Sequence, residues 1–391
     1  MKISKKGTAV SVMLFCSLQM SMLCISSIIT ELAAAFPEYE ISKIQLLATV
    51  PDLMIVIMSV LCGRVITYTD KRKWVMLSGV LFVITALGGY FFHGSYFVLT
   101  VWSVTLGTAI GILIPTAVAV INQEFMGDEK EKMLGLQNFA VGFGGIIVTI
   151  ISGILTSGGW HRSYLTYFLI IPGMAGMIYS LRGNRSVGKN TGKKGLKINW
   201  KQMIYYSVTV FFFFSLYNSL PTNISDILAE KGFQGPMMSS MAIGFLLGGC
   251  AAGGILFDRL FARIEMYTIL AGFGCLMTGT AVSGISEYYP VILAGMFIAG
   301  MSLSLVMATA SSMLMKRGDL ASANLSVTVM LACSDCGGFF SPVYTVCENA
   351  LFGTGSAAAR MKIVEIIAAV VVVLFIIFGK ITVILKNRKR I

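Results

Sequence analysis

The stretch GRVITYTDKRK, from Gly63 to Lys73, separates two apolar runs that are each long enough to cross a bilayer. Four of its residues are cations: Arg64, Lys71, Arg72 and Lys73. Short loops rich in Lys and Arg resist translocation, so the stretch predicts a turn at the cytoplasmic face of a membrane. A second stretch of the same type, GILFDRLFAR, runs from Gly254 to Arg263. The repetition predicts a chain built from two related halves.

The composition also indicates a membrane protein. Hydrophobic residues make up 56% of the 391 residues and charged residues only 12%, whereas typical soluble domains are about 25% charged. A net charge of +12 would suit binding to nucleic acid, but the cations fall in the short segments between apolar runs. We therefore expect a lipid bilayer as the environment and no nucleic-acid partner.

Twelve apolar runs, here called spans 1 to 12, each reach the length of about 17 residues that crosses the hydrocarbon core. Their predicted limits are 9–35, 42–67, 74–92, 97–122, 134–157, 163–181, 203–220, 238–257, 266–285, 290–315, 321–347 and 361–385, and span 7 can continue past Pro221. The sequence thus predicts an all-α polytopic membrane protein with twelve transmembrane helices. Its parts are an N-terminal half (1–181), a basic cytoplasmic linker (182–201) and a C-terminal half (202–391).

Span 1 allows two interpretations. Lys2, Lys5 and Lys6 precede the apolar run, and Ala33 to Ala35 end it, which resembles a secretory signal with its cleavage site. However, the run is longer than a signal core and contains Gln19 and several serines. These features favour an uncleaved first helix.

The positions of the cations predict the orientation of the chain. All but five of the 30 Lys and Arg residues fall in the termini and in the segments that twelve spans place on one side. This asymmetry predicts that both termini are cytoplasmic. The basic residues from Lys386 to Arg390 agree with that placement and can contact anionic lipid. The short loops suggest a bacterial cytoplasmic membrane.

Six spans, a basic linker, six further spans and a repeated G-x-L-x-D-R-x-G-R motif resemble the major facilitator superfamily. In that family the motif joins spans 2 and 3, and its second copy joins spans 8 and 9, as in this chain. The second copy matches at Gly254, Leu256, Asp258, Arg259 and Arg263. The resemblance implies that these residues take part in gating.

The first copy of the motif is degenerate. It matches at Gly63, Arg72 and Lys73 but has Thr67 at the acidic position. In the family, that acidic residue helps to latch the two halves together on the cytoplasmic side. A carboxylate gains from the dipole at a helix N-terminus, and Asp70 lies three residues further on, where it can take over this role. We otherwise expect the latch to depend on the second copy.

Two carboxylates lie deep within predicted spans, Asp52 in span 2 and Asp335 in span 11. At 1.5 Å per residue, Asp52 lies about 14 Å from the outer side and Asp335 about 20 Å from the cytoplasmic side. No Lys or Arg lies in the central part of any span. Because burying charge in hydrocarbon is costly, both residues are candidates for proton transfer or for binding a cationic ligand. The alternative is a hydrogen-bonded Asp with no role in transport.

Neutral polar residues form a second group of candidates. The family places spans 1, 4, 7 and 10 around the solute cavity, and their polar residues near mid-depth are Gln19, Thr108, Thr116, Tyr217, Asn218, Ser302 and Ser304. The two amides rank above the hydroxyl groups, because a buried amide needs a partner while Ser and Thr often bond their own backbone.

Glycines are concentrated in spans 5 and 8. Span 5 carries Gly142, Gly144, Gly145 and Gly153, and span 8 carries Gly244, Gly248, Gly249, Gly253 and Gly254. Small residues spaced by four let helices approach closely. The pattern fits two uses equally, a contact between the halves through spans 5 and 8 or tight packing within each half.

Together these features predict a secondary active transporter of a small organic solute, which works by alternating access and uses the proton gradient. The chain has no G-x-x-x-x-G-K-[ST] loop for ATP, and we expect no cofactor and no metal site. The lack of a membrane Lys or Arg favours a neutral or cationic solute. The alternatives are efflux of amphipathic cations or drugs and, in a different class, a polytopic enzyme or a sensor, which the isolated Asp residues and short loops disfavour. We expect a monomer.

Overall fold

The computed structural model of the protein describes residues 5–126, 128–181, 199–315, 320–343, 346 and 365–372. Within these ranges the regular elements are α-helices and short 3₁₀ helices, without a strand. The all-α class predicted from the sequence is therefore confirmed. Most of the linker, the greater part of span 12 and the basic C-terminal residues lie outside the described residues.

The helices follow the predicted spans closely in most of the chain. The N-terminal half contains α1 (Lys5–Cys16), α2 (Leu23–Ser26), α3 (Ile29–Ala35), α4 (Ile41–Tyr68), α5 (Lys71–Phe91), α6 (Tyr96–Glu124), α7 (Asp128–Leu155) and α8 (Ile170–Ser180). The C-terminal half contains α9 (Trp200–Glu230), α10 (Pro236–Ile264), α11 (Thr268–Ile285), α12 (Tyr289–Met315) and α13 (Leu320–Phe339). Spans 2 to 5 are α4 to α7, and spans 7 to 11 are α9 to α13. The helix of span 7 does continue past Pro221.

Span 1 differs from the single helix that we predicted, because it is divided into α1, α2 and α3. Between α1 and α2 the amides of Gln19, Ser21 and Leu23 donate to carbonyls three residues earlier, which is the 3₁₀ pattern. The break lies against α7, where a Cβ on Gly144 would come within 2.5 Å of the Ser17 Cα. Gly144 therefore lets the unwound backbone approach α7 closely. Hydropathy does not report such a break, because the residues on both sides are apolar.

Span 6 was predicted as one helix, but it begins as a 3₁₀ helix, Trp160–Leu169, that precedes α8. Near its start His161 stacks on His93, with ring centroids 4.4 Å apart and planes 3° apart. Burial, together with His93 and Arg162, lowers the pKa of His161. Trp160 packs edge-on against Phe36 with centroids 6.4 Å apart. These rings join the ends of spans 1, 3 and 5.

The two basic stretches are more helical than predicted. α4 runs through Gly63 and ends at Tyr68, so the first turn is reduced to Thr69 and Asp70. All of Gly254 to Arg263 belongs to α10, and the chain reverses only at Glu265, which has a positive φ of 42°. The second motif is therefore not a turn. No glycine or proline follows Gly254 within α10, and so nothing in that stretch stops the helix before Ile264.

Buried apolar side chains form two main cores. One core is built from residues between Val12 and Leu181, and the other from residues between Tyr206 and Ala368. Leu23 of α2 belongs to the second core although it precedes the rest of that core by almost the whole N-terminal half. The divided part of span 1 therefore packs directly against the C-terminal half.

The two ends of the bundle differ in charge. The end that holds Lys5, Lys73 and Arg259 is called the basic end here, and the end that holds His93 and Lys231 is called the opposite end. At the opposite end Lys231 caps α11. Its Nζ atom donates to the carbonyl oxygens of Ser283, Gly284 and Ser286 at 2.9, 2.8 and 2.6 Å.

The outer surface of the bundle suits a bilayer. Seven stretches of the described residues are long and apolar enough to cross a membrane, and one of them, 236–285, covers both α10 and α11. α5 exposes a stripe of apolar side chains at helical spacing: Leu77, Val80, Ile84, Leu87 and Phe91. Such a stripe on the outside of a bundle is stable in contact with lipid.

Candidate functional site

The candidate site is centred on Asp52, which follows Pro51 in α4 and lies about 16 Å from the start of that helix. Its side chain is 1% exposed. Oδ2 accepts a hydrogen bond of 3.0 Å from Nδ2 of Asn218 on α9. The same amide donates to the carbonyl oxygen of Gly338 on α13 at 3.3 Å. Asn218 thus connects Asp52 of the N-terminal half with two helices of the C-terminal half.

The second predicted carboxylate lies at the same site. Asp335 is on α13, one helical turn before Gly338, and is close enough for its charge to act on Asp52. In the described residues no Lys or Arg lies in the middle third of any helix. The structure therefore brings together two carboxylates, one from each half, in a region without a nearby cationic side chain.

Gly337 and Gly338 make this approach of three helices possible. A Cβ on Gly338 would lie 2.6 Å from Asp52 Oδ2, which is closer than real Cβ contacts allow. A Cβ on Gly337 would lie 2.2 Å from the carbonyl oxygen of Phe211 on α9. Both positions therefore require glycine for α13 to sit beside α4 and α9. The sequence analysis did not single out this pair, although two adjacent glycines, two and three residues after Asp335, were a visible signal.

The arrangement is suited to exchanging a proton or a cation. Asp52 Oδ1 is buried and has no hydrogen-bond partner, so one oxygen of this carboxylate is held and the other is available. A buried carboxylate in this situation is stable only when it binds a proton, a cation or a donor. Because Asn218, its hydrogen-bond partner among the described residues, belongs to the other half, a movement that separates the halves also changes the environment of Asp52.

The remaining neutral candidates lie in other environments. Thr108, Thr116 and Ser302 donate to carbonyl oxygens of their own helices, at 2.8, 2.6 and 2.5 Å. Ser304 donates to the Cys250 carbonyl oxygen on α10 at 2.5 Å.

Tyr217 and Gln19 are placed differently. Tyr217 is buried and stacks on Phe213, with centroids 5.9 Å apart, and its hydroxyl has no partner. Gln19 lies in the break of span 1 and is partly exposed. Of the neutral candidates, Asn218 is the one that hydrogen-bonds Asp52.

The glycines of spans 5 and 8 serve both of the uses that the sequence left open. Between the halves, a Cβ on Gly145 would lie 3.0 Å from Leu247, and one on Gly153 would lie 2.6 Å from Ser240 Oγ. Within the C-terminal half, a Cβ on Gly249 would lie 1.8 Å from the carbonyl oxygen of Phe297 on α12. The halves therefore meet along α7 and α10 from mid-depth towards the opposite end.

The predicted gating residues lie at the basic end. Asp70 caps α5, because its Oδ1 accepts a hydrogen bond of 3.0 Å from the Arg72 amide. Asp258, Arg259 and Arg263 are exposed near the end of α10. Gly63 lies in α4, Lys73 is in the first turn of α5, and Gly254 is in α10. The side chain of Thr67 lies outside the described residues, and a latch between the halves at this end stays a prediction.

Sequence analysis missed a second set of polar contacts between the halves, nearer the opposite end. Gln45 donates to Asn223, and Thr30 donates to Asp226 at 3.1 Å. The carboxylate of Glu31 lies near Asp226, and its Oε2 is buried without a partner. The signal was present in span 7, where six of the nine residues from 218 to 226 are polar.

Comparison with known proteins identifies the family. The family model named Major Facilitator Superfamily matches residues 8–342. This protein belongs to the major facilitator superfamily. No curated protein matches the sequence. As a member of this superfamily it is a multi-pass membrane transporter rather than an enzyme, with the two-half, twelve-span architecture predicted above, and it acts on a small-molecule solute.

Solved structures show the same fold at low sequence identity. The nucleoside transporter NupG is 11% identical, with a TM-score of 0.75 over 94% of this chain and 99% of that one. The POT family transporter PepTSo is 10% identical, with a TM-score of 0.74 over 96% and 98%. A bacterial homolog of the human lysosomal transporter Spinster is 14% identical, with a TM-score of 0.69 over 96% of each chain. At these identities the likeness supports the fold of this superfamily member alone.

Proposed function

We propose that the protein is a proton-coupled secondary active transporter of a small neutral or cationic organic solute. One observation carries the proposal: Asp52 is buried at mid-depth, its one hydrogen-bond partner among the described residues comes from the other half, and Asp335 lies nearby. The protonation of this pair and the contact between the halves depend on each other. Such a dependence is what couples a proton gradient to alternating access.

The proposal includes an orientation and a location. The basic end faces the cytoplasm, both termini lie on that side, and the membrane is the cytoplasmic membrane of a bacterium. The distribution of Lys and Arg supports this orientation. The transporter acts as a monomer and needs no cofactor beyond the proton gradient.

Uptake into proteoliposomes tests the coupling. Uptake is measured with and without an imposed pH gradient for sugars, amino acids, organic acids and cationic dyes. We expect Asp52→Asn and Asp335→Asn to reduce gradient-driven uptake about tenfold or more, since neither amide can release a proton. Glu38→Gln, an exposed loop position, is the matched control and should behave as wild type. Wild-type gradient-driven uptake in both Asp variants would refute the coupling.

Efflux of amphipathic cations is the second candidate function. The observation in its favour is that two carboxylates approach each other at a depth where the described helices carry no Lys or Arg. In this case a cationic dye binds at the pair and displaces a proton, so dye binding releases protons into a weakly buffered solution. Loss of that release in both Asp variants, with no uptake of neutral solutes by the wild type, would favour efflux.

A further inference from the structure

A second polar contact between the halves lies along α9 beyond Pro221, towards the opposite end. Three polar residues in this part of α9 are almost completely buried: Thr222, Asn223 and Ser225 are each at most 3% exposed. A membrane helix that faced lipid here would carry apolar side chains. These residues are therefore buried against protein. Their hydrogen-bond partners identify the part of the protein that they contact.

An amide pair forms the centre of this contact. Nε2 of Gln45 on α4 donates to Oδ1 of Asn223 at 2.9 Å and to the carbonyl oxygen of Thr222 at 3.3 Å. Gln45 is 0% exposed and Asn223 is 2% exposed. Nδ2 of Asn223 donates to the Ser219 carbonyl oxygen at 2.8 Å, which fixes the orientation of the Asn223 amide. The hydrogen bonds from Gln45 to α9 exist only while the halves touch, and they stabilise the burial of the amides in the closed contact.

A hydroxyl group continues the contact to span 1. Oγ of Ser225 donates to the carbonyl oxygens of Ser26 and Ser27, at 3.3 and 3.1 Å. These carbonyls lie at the end of α2, where the helix stops and its last carbonyl groups need partners. The break in span 1 therefore supplies acceptors to α9 of the other half.

We propose that these two contacts, Gln45 with Asn223 and Ser225 with the end of α2, form the gate at the opposite end of the transporter. They are called the clasp below. The assignment rests on transport by alternating access. For solute to reach Asp52 from the opposite end, α4 and the end of α2 must separate from this part of α9. The clasp is the polar bond that this movement breaks.

The chemistry of the clasp suits a gate. When the halves part, water replaces each lost hydrogen bond, so the open and closed states differ little in hydrogen-bond free energy. An apolar contact of the same area would favour the closed state strongly, because opening it would expose hydrocarbon to water. A polar clasp therefore holds the opposite end closed without preventing it from opening within a transport cycle.

Reaction of a buried cysteine measures opening of the gate. Thr49 lies on the face of α4 that carries Gln45 and Asp52, is 0% exposed and has an unpartnered hydroxyl. In full-length protein without native cysteines, Thr49→Cys should react with a membrane-impermeant methanethiosulfonate from the opposite side only when the clasp opens. We expect Gln45→Leu and Asn223→Leu each to raise the labelling rate about tenfold, since each removes the Gln45–Asn223 hydrogen bond and places a leucine against a buried amide.

The double variant Gln45→Leu with Asn223→Leu gives the sharpest result. Two leucines remove both amides and form a buried apolar contact, so labelling should fall to the wild-type rate or below. Gln202→Leu, an amide change on α9 at the basic end, is the matched control and should not alter labelling. If a single variant does not fold, the double variant still decides, because labelling faster than the wild type contradicts the assignment.

Wild-type labelling in both single variants and in the double variant would overturn the clasp. This outcome differs from a failure of proton coupling. Labelling of Thr49→Cys requires neither a known solute nor a pH gradient, whereas the uptake assay with the Asp52 variants requires both. The two assays can therefore refute the clasp as a gate without refuting proton coupling, and refute proton coupling without refuting the clasp.

Discussion

Asp52 owes its environment to a residue that has no side chain. Gly338 lets α13 lie against α4, and the space that a Cβ would need is occupied by the Asp52 carboxylate and the Asn218 amide. The carboxylate was visible in the sequence as a charge within an apolar run. Its contact with residue 338 was not visible, because spacing along a helix gives depth in the membrane but not the neighbour across an interface.

Gly338→Ala should impair proton coupling more than a Gly→Ala substitution at a position where the added methyl group meets no neighbour. The added methyl group forces α13 or the Asp52 carboxylate to move, at a cost of about 1–3 kcal/mol. We expect gradient-driven uptake to fall about tenfold or more and the melting temperature in detergent to decrease.

Gly274→Ala on α11 provides the comparison, because nothing lies within 4 Å of its Cβ position. This variant should keep its uptake and melt at the wild-type temperature or slightly above, since Ala favours a helix over Gly by up to about 1 kcal/mol. Equal uptake in the two variants would mean that the close approach of α13 does not matter for coupling.

At the scale of the helix, hydropathy predicts where a span lies but not whether it is continuous. Pro221 suggested an end to span 7, yet α9 continues to Glu230, because neighbouring helices and polar side chains stabilise a proline within a membrane helix. The opposite occurred in span 1, where apolar residues on both sides of Gln19 concealed a 3₁₀ break. The break lies where the backbone at Ser17 packs against Gly144 of α7. The sequence of span 1 alone cannot reveal this contact with another helix.

Lys231 stabilises the end of a helix to which it does not belong. It follows α9, and its ammonium group satisfies three carbonyl oxygens at the end of α11. Burial lowers its pKa, while Glu287 and Glu230 act in the other direction. The sequence predicted only that this lysine lies in a loop outside the membrane.

Lys231→Met should lower the free energy of unfolding by about 2 kcal/mol, because hydrogen bonds from a charged donor are worth more than neutral ones. Thermal unfolding in detergent measures the loss. Lys201→Met, an exposed position in the first turn of α9, is the control and should change the melting temperature little. An equal effect of the two substitutions would show that the capping bonds add nothing to stability.

At the scale of the whole molecule, repetition and charge asymmetry were enough to predict the class of fold. The family and its two-half, twelve-span architecture could be predicted because spans, linker and duplicated motif extend over nearly the whole chain. The contact between Gln45 and Asn223 could not be predicted, since it joins residues 178 positions apart in different halves. A polar stripe on span 7 was visible, but its partner depends on how the halves meet.

Cysteine labelling in intact cells tests the proposed orientation. Glu38→Cys lies in an exposed loop at the opposite end, and Asp70→Cys is exposed at the basic end. With the basic end in the cytoplasm, a membrane-impermeant maleimide should label Glu38→Cys in intact cells and Asp70→Cys only after the cells are permeabilised. The reverse labelling pattern would place the basic end outside the cell. It would contradict the orientation that we infer from the positions of Lys and Arg.

The stacked histidines at the opposite end have a consequence for how the transporter responds to acid. His93 and His161 are the only two histidines in the chain, and they share one small ring cluster. In the proposed orientation both imidazoles therefore lie at the end of the bundle that faces the medium, and neither lies at the cytoplasmic end. Burial, together with His93 and Arg162, lowers the pKa of His161, so this imidazole takes up a proton only at a lower pH than an ordinary histidine. In the proposed orientation, any effect of acid on this ring cluster should therefore follow the pH of the medium and not that of the cytoplasm.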